Sequence, residues 1–217
     1  MRMKLKNLIS CLAVVWGADL ARANYSLETF NVGSAAIPTG NPVGIKSVGT
    51  VSDLPSGSTV SGLTVGFSVS GGYNGSLYAY LVAPSGQLVT LMNQPGVTGS
   101  NPFGYGGSGF NVTFADTAAG SIQNAAEIAG AVLTGNYQSA GSLANVNGSV
   151  ADGAWTLFVS SEANGGGQAQ LNNWSLGITT GSAKTSVGDQ TSTMALLGLG
   201  VLSIVAAHNM RWRRSQA

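Results

Sequence analysis

Chemistry at a protein surface starts from groups that carry protons, bind metals or attack carbonyls, and this chain places few of them where they could meet. Its one histidine, His208, stands in an apolar stretch near the C-terminus, and its one cysteine, Cys11, in an apolar stretch near the N-terminus. A Ser-His-Asp triad needs an imidazole to take the serine proton, and a papain-like site needs a thiolate, so residues 24–186 can assemble neither. The same shortage removes His- and Cys-based zinc and copper sites and leaves hard, oxygen-coordinated ions such as calcium. Asp116, Asp152 and Glu162 sit beside Gly, Asn and Ser in expected loops and are the calcium candidates. They form no Asp-x-Asp-x-Asp-Gly-like cluster, so the bland alternative is three solvated turn residues and no cofactor. A glycosidase pair is the other use of carboxylates. Asp152 and Glu162 flank one expected strand, which holds them farther apart than the ~5–10 Å that such a pair spans.

Aromatic rings offer a second chemistry, stacking on sugars. Tyr73, Tyr78, Tyr80, Phe103, Tyr105 and Tyr137 include several in Gly/Asn/Ser-rich segments, and Tyr105, in Asn101-Pro-Phe-Gly-Tyr-Gly-Gly107, is the residue singled out for ligand contact. Tyr78 and Tyr80 share one face of a strand, opposite Leu77, Ala79 and Leu81, the arrangement in which paired rings cover the second face of a sheet. Charge excludes a further class of partner. Within residues 24–186 the carboxylates Glu28, Asp53, Asp116, Glu127, Asp152 and Glu162 face only Lys46 and Lys184, without an arginine, so nothing neutralises phosphates and nucleic-acid binding is excluded.

The elements that must position these groups are strands. Trp155, Leu157 and Val159 alternate with Thr156 and Phe158, and Trp174, Leu176 and Ile178 alternate with Ser175, Gly177 and Thr179, the period-two pattern of half-buried sheet. These two segments read as a closing hairpin with one core tryptophan on each strand. Leu63, Val65 and Phe67 on a long strand, with Leu77 and Leu81 on the next, complete the expected core. Glycine is 32 of 217 residues and charged residues are 8 %, as in turn-rich all-β chains. The expected fold is a single jelly-roll-like β-sandwich of roughly 160 residues, large enough to bury about 70 % of its unfolded surface without disulfides or metals.

The framework resembles the P domain (Homo B domain) of subtilisin-like proprotein convertases. Ile37-Pro38 with Asn41-Pro42-Val43-Gly44-Ile45 resembles its opening segment, and Tyr73-Asn-Gly75-Ser-Leu77 followed by Leu81-Val-Ala-Pro84-Ser-Gly86 is similar to its central hairpin. Gly107-Ser-Gly109, Phe114-Ala-Asp116, Gly135-Asn-Tyr137, Gly141-Ser-Leu143, Asn147-Gly148 and Asp152-Gly-Ala-Trp155 follow in family order. The chain departs from the pattern where the family has His before the central hairpin (here Gly71) and acidic residues at the positions of Ser76, Ser161 and Gly167. The resemblance implies a non-catalytic module that packs on and stabilises a protease. Its partner would be a separate subtilisin-like enzyme, the alternatives being an accessory component of a serine-endopeptidase system or a binder of carbohydrate or extracellular matrix such as polysaccharide.

Both ends read as targeting segments. Arg2, Lys4 and Lys6, the apolar run to Gly17, and Ala21-Arg22-Ala23 have the form of a secretory signal peptide over residues 1–23. After the sandwich at 24–180, a linker at 181–190 leads to an apolar helix at 191–210 and a basic tail at 211–217. Val187-Gly188-Asp189 before that helix resembles the Val-Pro-Asp variants of the bacterial PEP-CTERM sorting tails, with Gly188 in place of proline. That likeness implies exosortase-type membrane machinery as a partner and delivery to the bacterial envelope or extracellular surface, whereas a retained span would be an ordinary tail anchor.

Overall fold

The computed structural model describes residues 23–126 and 128–181. The expected linker beyond Gly181, the apolar helix and the basic tail fall in residues 182–217, outside the described residues, as does the expected signal peptide up to residue 22. Among the described residues no helix is long and apolar enough to cross a membrane.

Among the described residues nine strands build two sheets: β1 (Asn24–Ile37), β2 (Asn41–Val51), β3 (Thr59–Gly71), β4 (Leu77–Val82), β5 (Leu88–Asn93), β6 (Gly109–Ala115), β7 (Leu133–Tyr137), β8 (Gly153–Ser161) and β9 (Ala169–Gly181). One sheet runs β1-β9-β3-β6-β7, the other β2-β8-β4-β5. Neighbours pair antiparallel except β6 and β7, which run parallel, with Phe110 opposite Leu133 and Phe114 opposite Tyr137. The expected central hairpin is β4–β5, closed through Pro84-Ser85-Gly86.

The expected closing hairpin is not one. β8 pairs with β2 and β4, while β9 pairs with β1 and β3 in the other sheet. The seven-residue connection from Glu162 to Gln168 is long enough to cross the ~10 Å between packed sheets. Each strand therefore brings its tryptophan to the core from an opposite side. Trp155, Leu157, Val159, Trp174, Leu176, Ile178, Val65, Leu77 and Leu81 are fully buried, with Phe67 and Leu63 nearly so. Alternation along β4 puts Leu77, Ala79 and Leu81 inside and leaves Tyr78, Tyr80 and Val82 half exposed outside, as the pleat requires.

Close inter-sheet packing also depends on residues that the alternation does not single out. Phe30 of β1 lies 4.4 Å from Trp174, ring centre to ring centre, and its ring occupies the space that a β-carbon on Gly49 of β2 would need, 2.5 Å away. Trp174 Nε1 donates to Ser47 Oγ of β2 at 2.8 Å, a hydrogen bond from one sheet to the other. Strand β1 itself, kinked between Asn31 and Ala35 where Gly33 and Ser34 take positive φ, is an element that the sequence reading left undefined.

Candidate functional site

The outer face of the β2-β8-β4-β5 sheet carries a row of side chains set by register. Phe158 of β8 faces Lys46 of β2 on one side and Tyr80 of β4 on the other, and Tyr80 faces Thr90 of β5. Tyr80 and Phe158 stack at 4.6 Å and 16°, and Tyr78 tilts against both, 5.9 Å from Tyr80 and 6.4 Å from Phe158. Offset and edge contacts of this kind suit the ring quadrupoles and add to simple burial. Over the rings opens a groove of about 630 Å³, with Pro42 and Val43 on one wall and Lys46, Asn93, Gln94 and Glu162 at the polar rim.

The rim is held by backbone rather than by ion pairing. Gln123 clamps Asn93 through both main-chain groups, accepting from its N–H at 3.1 Å and donating to its carbonyl at 2.6 Å. Gln94 donates its N–H to Leu77 O at 2.9 Å and sits at φ +46°, a left-handed conformation that costs a non-glycine residue of order 1 kcal/mol. Glu162 accepts from Ser160 Oγ and donates its own N–H to Ser76 O at 2.7 Å.

Beyond the groove, the loops at this end of the sandwich are tied to one another. Asn74 is fully buried, donates Nδ2 to Gly109 O at 3.0 Å and accepts from Gly109 N at 2.7 Å. Ser108 N donates to Ala131 O and Gly130 N to Gly106 O, both at 2.8 Å, which joins the 94–108 loop to the 125–132 loop. Those two loops expose Val97, Phe103, Ile128 and Val132, with Phe103 73 % and Ile128 76 % accessible.

The carboxylates proposed for calcium are not brought together. Asp116, at the end of β6, accepts from Ser142 Oγ, Leu143 N and Ala144 N at 2.8–2.9 Å and so anchors the turn of 3-10 helix over Leu143–Val146. Asp152 precedes β8 and Glu162 follows it, at opposite ends of the strand; Asp152 Oδ1 is buried and makes no hydrogen bond. No group of three or more His, Cys, Asp or Glu side chains converges among the described residues. Two of the positions where the family pattern is acidic do meet. Ser76 and Ser161 are buried and share a hydrogen bond of 3.0 Å, a neutral pair with no charge to hold a cation.

Tyr105 stands half buried, its ring covering Gly96 and its hydroxyl donating to Gln123 O at 3.1 Å. It therefore supports the Asn93–Gln94 rim through Gln123. Sequence reasoning placed Tyr78 and Tyr80 on one outward face but not the groove around them, because its other residues come from three further strands and the turns that follow β5 and β8, and meet only in the sheet. Phe158 was a further signal, an aromatic at an outward position between Thr156 and Ser160 of β8.

The framework that supports this face also decides the family. The family model of the proprotein convertase P-domain matches residues 60–178, from β3 through β9 and more than half of the 217-residue chain. The chain belongs to that family. Strands β1 and β2 precede the matched stretch, yet each completes a sheet of this P domain by pairing with β9 and β8. Among solved structures the P domain is similar to the serine protease of Aeromonas sobria. In the complex of that protease (ASP) with the chaperone ORF2, identity is 18 % and the TM-score 0.48 over 75 % of this chain and 28 % of the other. The protease solved by itself gives 18 % and 0.47 over 74 % and 28 %. The P domain thus spans little more than a quarter of those chains. No curated protein matches it.

Proposed function

We propose that this chain is a secreted, surface-delivered and non-catalytic P domain, a jelly-roll-like sandwich that docks on a separate subtilisin-like serine protease and stabilises it. The observation that carries the reading is the family match across both sheets, in a domain whose residues 24–181 hold no histidine or cysteine to activate a nucleophile. The docking surface is the loop end with exposed Val97, Phe103, Ile128 and Val132, since large apolar side chains at one rim are what a protein partner covers. Delivery is assigned to residues 1–23 and 187–217, the latter read by sorting machinery in the membrane or retained there as an anchor. The decisive test pairs the chain with a subtilisin-like protease of the same organism and follows the protease's thermal inactivation. The half-life should lengthen with the chain present, and lengthen less with Phe103→Ser or Ile128→Ser. A half-life that is the same with and without the chain would sink the docking role.

A further inference from the structure

The groove over Tyr78, Tyr80 and Phe158 lies on the sheet face and adjoins, at Gln94, the loop rim assigned to a protease, but its chemistry differs from that rim. Its floor is a packed ring cluster, with Phe158 only 7 % accessible beneath two half-exposed tyrosines. Ring faces carry negative quadrupole charge, so they attract the polarised C–H groups on one side of a pyranose. The rim supplies what the other side of a sugar needs. Asn93 and Gln94 each present an amide with donors and an acceptor, and Glu162 adds a carboxylate acceptor, a set that pairs with neighbouring hydroxyls.

Three further observations narrow the occupant. The charges on the lining are one ammonium, Lys46, and one carboxylate, Glu162, which cancel and favour neither a polyanion nor a polycation. The rings on its floor stand on β8 and β4, the two inner strands of the sheet, whose backbones are paired on both sides, so an extended peptide cannot add as a strand there. Gln94 keeps its side chain at this rim although φ +46° suits glycine, the pattern of local strain retained where a side chain has work to do. The groove is open rather than enclosed, as a polymer segment requires.

We infer that this groove binds a neutral polysaccharide, stacking a hexopyranose ring on Tyr78 while Asn93, Gln94 and Glu162 hydrogen-bond its hydroxyls. The inference goes beyond protease docking and uses the neighbouring sheet face. Affinity electrophoresis of the full chain tests it, in gels containing soluble β-glucan, galactomannan or, as a polyanion, alginate. At least one neutral polymer should retard the chain equally at low salt and at ~0.5 M salt, where surface charge is screened. Tyr78→Ala and Gln94→Gly should each weaken that retardation about tenfold, the factor associated with losing one ring contact or one well-placed hydrogen bond. Glycine adopts the backbone of position 94 freely, so Gln94→Gly decides by itself if Tyr78→Ala does not fold.

Retardation by alginate alone that disappears with salt would overturn the inference, as would neutral polymers that leave the wild-type chain unretarded or slow both variants as much as the wild type. Failure of both variants to lengthen the protease's half-life, with no polysaccharide bound, would give the groove to the protein partner instead. Phe103→Ser and Ile128→Ser report on the docking rim separately, so either reading can fail without the other.

Discussion

Trp174 packs in one sheet and hydrogen-bonds to the other, so its replacement by alanine measures how the sandwich is held. The indole is fully buried, lies 4.4 Å from Phe30 and donates to Ser47 Oγ at 2.8 Å. A large buried aromatic cut to alanine costs about 3–5 kcal/mol, because the surrounding side chains collapse only partly into the cavity. The hydrogen bond is a minor part of this. Ser47 is half exposed, so its hydroxyl turns to water when the indole goes, and Ser47→Ala should cost only about 0.5–1.5 kcal/mol. For a domain of this size each kcal/mol lowers Tm by about 2–4 °C, which puts Trp174→Ala roughly 6–20 °C below wild type. Urea unfolding followed by far-UV circular dichroism should show the midpoint falling at constant slope, the mark of lost stability in an intact native fold. Two results would refute the reasoning: a loss under about 1 kcal/mol for Trp174→Ala, or a Ser47→Ala loss equal to it.

Asn74→Ala strips the buried Gly109 N–H and carbonyl of their side-chain partner and should cost about 2–4 kcal/mol in the same assay; a neutral result would mean water replaces the amide. Gly109→Ala should be at least as damaging, because φ is +112° there and a β-carbon would sit 2.4 Å from Val69 O. Asp116→Ala unties the Leu143–Val146 turn and should cost about 1–2 kcal/mol, whereas an unchanged midpoint would show the turn forming without its anchor. Deleting residues 187–217 should leave the melting temperature of the sandwich unchanged and release it from the cell envelope; a truncated chain still bound to the envelope would sink the anchoring role of the tail.

Period-two alternation determined most of this fold before any coordinates. The inward residues of β3, β4, β8 and β9 follow from sequence because a pleated strand with one face in water must alternate. The missing histidine and cysteine were equally plain, and they bound the chemistry of the domain without reference to geometry. Which strands pair was not legible. The segments carrying Trp155 and Trp174 read as neighbours, yet they stand in opposite sheets, since the loop from Glu162 to Gln168 can equally turn a hairpin or cross between layers. The parallel pairing of β6 with β7 and the long, kinked β1 were hidden for the same reason, as local pattern carries no record of partner. The groove was hidden most deeply. Lys46, the Tyr78–Tyr80 pair, Asn93 and Phe158 are separated along the chain and share no motif, and only the register of four strands puts them on one surface. Alternation states which face a side chain takes, but pairing alone states which other side chains it will meet there.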